Sequence, residues 1–294
     1  MATALAPDGR AALALPGLLL AALLVTIGLQ SGAVRFWPAP EAGLAPETII
    51  VAPRAYAYRA PGDFLRDGRV VDGPLVAVAA PVPLEIMTYQ VSAAEYARCV
   101  AEAACKKAEP RRRGSGDVPA TGVSYDDAID YARWLSDRTG EAWRLPTVAE
   151  WVFAAGSRAV DPALALEGSD NPAERWLAAY ARESALGGAA AAPVARGTFG
   201  MNEFGVADLA GSVWEWTSTC SSRTTLGPDA ETVSHVEACG VKELEGRHRT
   251  LMSDFVRDAQ SGGCSTGTPP DNLGFRLVRV PSPLEAMLRW LGLR

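Results

Sequence analysis

The sequence predicts a domain of mixed helix and strand with little regular secondary structure, set behind an apolar N-terminal segment. Three observations carry this expectation. Helix-start signatures are few and well separated. The strand-like runs are short. The connections are long, and several are rich in Gly, Pro or Ala. Loops of that length in a compact domain call for bound ions, disulfides or a function that justifies them.

In chain order, Ala11–Val34 carries no charge and is flanked by Arg10 and Arg35. Its strongly apolar part, Ala11–Leu29, is long for a signal-peptide core and close to the length that spans a bilayer. Ser31-Gly32-Ala33 also suits a signal peptidase. Residues 1–35 therefore read as a retained anchor, which the length favours, or as a cleaved signal. Both readings export the remainder, which places the domain in the periplasm, and residues 11–34 would anchor it in the inner membrane. Residues 36–69 read as a linker, rich in Pro and Ala as far as Ala60.

The main domain is expected over residues 70–281. Val70–Ala80 and Leu84–Val91 read as strands. Ser92 opens a helix with Glu95 three residues on, a capping box. Ser124 opens a second helix with acidic residues in its first turn and Gly140 as its stop. Thr147 and Glu150 box the start of a third. One helical patch is expected within Pro172–Ala181, short strands at Asp254–Asp258 and Phe275–Val280, and a C-terminal amphipathic helix in residues 282–294 that packs on the domain.

Composition bounds function. The chain has 294 residues, a formal net charge of -6 and five cysteines but only two histidines, His235 and His248. An acidic chain lacks the basic face that displaces counterions from nucleic acid. The one basic run, Lys106-Lys107 with Arg111-Arg112-Arg113, reads as a solvated loop. Two histidines cannot build a site of three or four imidazoles. HExxH, CxxC and the phosphate-loop signature are all absent from the sequence.

Export permits disulfides. Cys99 and Cys105 lie at a helix end running into a loop and are close enough to pair. Two of Cys220, Cys239 and Cys264 can pair, which leaves one cysteine over. His248 sits between Arg247 and Arg249, with Asp254, Arg257 and Asp258 following. This cluster suits an anion or a metal held by His and carboxylate; the competing reading is a set of salt bridges fastening a long loop.

Four blocks stand in order: YQVSAAEYARCV, PATGVSYDDAIDYARWLSDRTGEAWRLPTVAEWVFAAGS, NEFGVADLAGSVWEWT and NLGFRLVR. Together, over about Leu75–Val280, they resemble the sulfatase-modifying-factor family, which includes the formylglycine-generating enzymes. The resemblance implies an α+β domain of the formylglycine-generating-enzyme fold, related to C-type-lectin-like folds, with long ion-braced loops. It implies structural calcium held by the carbonyls of Ala210, Gly211 and Val213 and by Glu215, a donor set that suits a hard cation. The competing reading makes Glu215 a buried structural acid. Where the family places an Asn-led second calcium site, this chain has Ala178-Ala179-Tyr180.

The family's oxidative chemistry uses two late cysteines that bind copper(I). This chain has Cys264 alone in the segment before Gly274-Phe275-Arg276, so the pair is missing as the family builds it. Cys264 then reads as half of a disulfide with Cys220 or Cys239 in preference to a copper thiolate. In the alternative it is a catalytic nucleophile or metal ligand assisted by His248, with copper or iron left open. The late segment looks most like an exported branch of the family associated with copper nitrite reductase. That resemblance implies a periplasmic protein or peptide partner.

Overall fold

The three capping boxes form where the sequence places them. In the computed structural model, α1 spans Ala93–Ala101, α2 Tyr125–Thr139 and α3 Val148–Ala155. Each cap hydroxyl accepts the backbone N–H three residues on, and the acid at that position accepts the cap's own N–H. Two otherwise unpaired helix-start donors are satisfied each time. Gly140 ends α2 at φ +72°, a left-handed position that suits glycine. The structure describes residues 43–79, 82–114, 116–163, 174, 177–178, 181, 192–211, 213–257 and 272–290, all within one unit, Glu41–Arg294.

The strands are β1 (Thr48–Val51), β2 (Tyr56–Arg59), β3 (Asp63–Arg66), β4 (Arg69–Val71), β5 (Leu75–Val78), β6 (Leu84–Met87), β7 (Ala142–Arg144), β8 (Trp214–Leu226), β9 (Thr232–Glu245), β10 (Thr250–Ser253), β11 (Leu273–Gly274) and β12 (Val278–Val280). One sheet runs β1-β6-β12-β7. A second runs β10-β9-β8-β3-β4, with β11 added in parallel against β8, and β2 pairs β5. Helix α4 covers Pro283–Trp290 and is tied back by Arg279 on Glu285.

Several expectations are corrected. The presumed linker holds three strands: β1 pairs along β6, and β3 pairs β8. The run Val70–Ala80 is broken at Gly73-Pro74, where a Cβ on Gly73 would stand 2.6 Å from the Ala60 carbonyl. Leu84–Val91 is strand only to Met87, after which Thr88 and Val91 donate to Glu47 and Phe275. The strand near residue 254 lies earlier, at Thr250–Ser253, and only Val278–Val280 of the last run is strand. The β8–β9 hairpin falls where the sequence marked no strand. Among the described residues no helix is long and apolar enough to cross a membrane. Ala11–Val34 and most of Pro172–Ala181 lie outside the described residues.

Two apolar clusters form the core. One joins α1, α2 and the β8–β9 base through Tyr96, Tyr131, Trp134, Trp143, Trp214, Trp216 and Phe275; the other packs α3 against β1 and β6 through Trp151, Phe153, Ile86 and Val51. Each of the five tryptophans is less than a tenth exposed. Large aromatic side chains supply the apolar area that sparse secondary structure otherwise lacks.

Candidate functional site

Glu215 on β8 and Arg276 between β11 and β12 are both wholly buried. Parallel pairing of Leu273–Gly274 with Trp214–Glu215 brings them together. Arg276 Nε donates to Glu215 Oε2 at 2.6 Å and Nη2 to Oε1 at 2.7 Å. Its remaining N–H groups reach the carbonyls of Met87, Thr88 and Ala207. All five guanidinium donors are used. Gln90 Nε2 adds a bond to Oε1 at 2.7 Å, and Trp151 Nε1 one to Oε2 at 2.9 Å.

The preceding block, NEFGVADLAG, is folded by two polar side chains. Asn202 donates to the carbonyls of Ala154 and Ala155 at the end of α3 and accepts from Phe204 and Val206. Asp208, in the left-handed region at φ +57°, accepts from the backbone of Gly197 and Phe199. These residues fix a loop that neither helix nor sheet supports.

Glu215 does not fit the calcium role implied by the resemblance. Its carboxylate has about four lone-pair positions, and Arg276, Gln90 and Trp151 fill them with four donors. The Gly211 carbonyl accepts from Arg247 Nε at 2.9 Å. A cation there would also stand beside a guanidinium. Glu215 is the structural acid of the competing reading. Ala210, at φ +53°, and Val213, 2% exposed, serve the turn and the core. Among the described residues no group of three or more His, Cys, Asp or Glu side chains is placed to hold a metal ion. Ala179 and Tyr180 lie outside them.

The polar cluster around His248 is distributed over separate contacts. His248 packs edge-on against Trp214 at 5.3 Å, and the Trp214 indole donates to the His248 carbonyl. Burial pulls the imidazole pKa down. Arg249 binds Glu245 at 2.7 Å and the Arg59 carbonyl, joining the end of β9 to the end of β2. Arg257 is engaged elsewhere, with Asp127 on α2 and with Glu109. The Asp254 carbonyl accepts from Tyr125. The contacts are those of a fastened loop. Asp258 and Cys264 lie outside the described residues.

Sequence reasoning missed Glu243. It is 1% exposed on β9, and burial, partly countered by Arg249 and reinforced by Glu245, pushes its carboxyl up to about 8. Only knowledge that Val241–Glu245 is strand covered on both faces would have exposed it.

Cys99 pairs with Cys105, as the sequence led us to expect, and Cys220 pairs with Cys239. The second bond corrects the preferred pairing of Cys264, because neither Cys220 nor Cys239 is left for it. Four of the five cysteines are committed, and Cys264 remains over. Two thiolates for copper(I) are not present while both bonds stand.

A cleft of about 390 Å³ opens beside α1. Tyr96, Ala97, Val100, Val118, Pro119 and Pro193 give it an apolar lining, and Lys107 and Arg113 of the basic run stand on its wall.

Residues 37–281 match the family model described as the sulfatase-modifying factor enzyme 1-like domain. The chain is 38% identical over 190 residues to the formylglycine-generating enzyme of Mycobacterium tuberculosis, covering 55% of this chain and 58% of that protein. It is 27% identical over 176 residues to the inactive C-alpha-formylglycine-generating enzyme 2 of Mus musculus, covering 57% and 53%. It thus spans little more than half the length of these relatives. Among solved structures, PvdO from Pseudomonas aeruginosa superposes with a TM-score of 0.52 at 23% identity, covering 82% of this chain and 97% of that one. That likeness concerns the fold.

Proposed function

Because the chain belongs to the sulfatase-modifying factor enzyme 1-like family, we propose that it is an exported member without the two-thiolate copper(I) chemistry, which binds a partner polypeptide and assists its maturation. The observation that carries this is the use of the cysteines: with Cys99–Cys105 and Cys220–Cys239 formed, Cys264 has no second thiol beside it in the chain. Copper(I) in that chemistry needs two soft thiolates close together. A relative described as inactive is consistent with a family fold that serves without the oxidation.

The cleft beside α1 is the docking site in this reading. Its apolar lining suits an extended segment with an aliphatic or aromatic anchor, and Lys107 and Arg113 favour acidic residues beside that anchor. The apolar segment 11–34 supports a periplasmic setting at the membrane. The late-segment resemblance supports a metalloenzyme partner such as copper nitrite reductase.

The test combines two measurements on the full chain. Immobilised protein should retain a periplasmic polypeptide from its native host. Dioxygen uptake with a cysteine-containing peptide should stay at background with and without copper(I). Copper-dependent uptake that disappears in Cys264→Ala would sink this reading and favour an oxidoreductase acting through Cys264.

A further inference from the structure

The Cys220–Cys239 bond lies where β9 leaves the core. On β8 the cross-strand register runs from Trp216↔Leu244 to Cys220↔Lys242 and then directly to Ser221↔Ala238. Cys239, Gly240 and Val241 are therefore skipped by the β8–β9 ladder, a bulge at the disulfide itself. Beyond it, Thr232–Gly240 is exposed, whereas Lys242–Glu245 is buried. The two sulfur positions differ accordingly: Cys239 is exposed and Cys220 is half-buried.

Lys242 stands on the inner side. It is 7% exposed, and its Nζ lies 3.4 Å from Cys220 Sγ and 4.5 Å from the centre of the Tyr125 ring. Among the described residues Lys242 has no carboxylate partner, so the Cys220 sulfur and an aromatic face are what surround its ammonium. A bond that only braced the hairpin would not require this arrangement, since the ladder already holds both strands on either side of it.

We infer that Cys220–Cys239 is a thiol–disulfide exchange site with a defined polarity. An external thiolate attacks Cys239 Sγ. A mixed disulfide forms there, the Cys220–Cys239 bond breaks, and its electron pair leaves on Cys220 Sγ as a thiolate facing the Lys242 ammonium. A nearby cation lowers the cost of that thiolate, and a better leaving group exchanges faster. A second thiolate then attacks the mixed disulfide, releases the oxidised thiol pair, and leaves Cys239 to take up a proton. The pair gains two electrons and two external thiols become one disulfide. The substrates are thiols, free or carried on a polypeptide. The inference does not depend on the function proposed above.

The experiment titrates the folded, full-length protein in reduced and oxidised glutathione and maps each cysteine by alkylation and peptide mass. Cys99–Cys105, at 0% and 7% exposure, is the internal reference. Cys220–Cys239 should open at a less reducing ratio than the reference, with the trapped glutathione on Cys239. Lys242→Gln should make it about tenfold harder to reduce, a shift of about 30 mV. Lys242→Arg keeps the charge and should titrate like the parent, which separates charge from misfolding. Opening no earlier than the reference, glutathione on Cys220, or a Lys242→Gln titration matching the parent would each overturn the assignment.

Discussion

Arg276 and Glu215 neutralise each other completely inside the protein: every guanidinium donor and every carboxylate lone pair in the pair is occupied. Such a pair is costly to bury and costlier to break, because removing one member strands the other's charge. Arg276→Met should therefore destabilise the protein by about 3–5 kcal/mol, read as a lowered urea midpoint. Glu215→Gln, which keeps an acceptor but removes the charge, should fall in the same range. A loss below about 1 kcal/mol for either would mean that the pair is not buried as described.

Asn202 makes four hydrogen bonds that join α3 to the loop leading into β8. Asn202→Ala removes all four and leaves the carbonyls of Ala154 and Ala155 without these donors. The expected cost is about 2–4 kcal/mol. Asn202→Asp keeps the two accepted bonds and sets a carboxylate against the same two carbonyls, so it should not recover the loss. Chemical denaturation of the two variants against the parent checks both statements.

How much of this was legible depended on how local the cause was. Ser92, Ser124 and Thr147 announce their helices because cap and partner lie three residues apart. Cys99 and Cys105 were readable for the same reason. The β8–β9 hairpin was not: Thr232–Gly240 is exposed throughout, so no alternation of polar and apolar residues marks it as strand. Strands β1 and β2 were hidden by Pro and Ala in a stretch that resembled a spacer. The Arg276–Glu215 pair spans 61 positions. The residue types stood in the blocks that carry the family resemblance, but the decision between calcium ligand and ion-pair partner needed the geometry.

Burial of Glu243 makes stability depend on pH. Its folded-state pKa of about 8 stands above the ordinary value of 4.5, so the folded protein binds this proton more tightly than the unfolded chain. Stability therefore falls as pH rises from about 4.5 to about 8 and is level beyond, a loss on the order of 3 kcal/mol between pH 5 and 8 from this group. His248 acts at the other side: burial holds its pKa below the ordinary 6.5, so its contribution is full above about 6.5 and is lost as pH falls from there through the lower folded value. Thermal melts from pH 5 to 9 should show Glu243→Gln more stable than the parent at pH 8 and closer to it at pH 5. Parallel pH curves for variant and parent would show that Glu243 is ionised in the folded protein.

Lys107 and Arg113 offer a way to separate binding from folding. Both side chains are exposed on the wall of the cleft, and neither is needed to hold the core. The double charge reversal Lys107→Glu with Arg113→Glu should leave stability within about 0.5 kcal/mol of the parent. It should cut retention of an acidic partner at low salt by about tenfold or more, since charges at an interface rim act through steering and repulsion. Because that attraction is screened beyond roughly 10 Å at 0.1 M salt, the gap between parent and variant should narrow as salt rises. Unchanged retention with an intact fold would place the partner on another face of the domain.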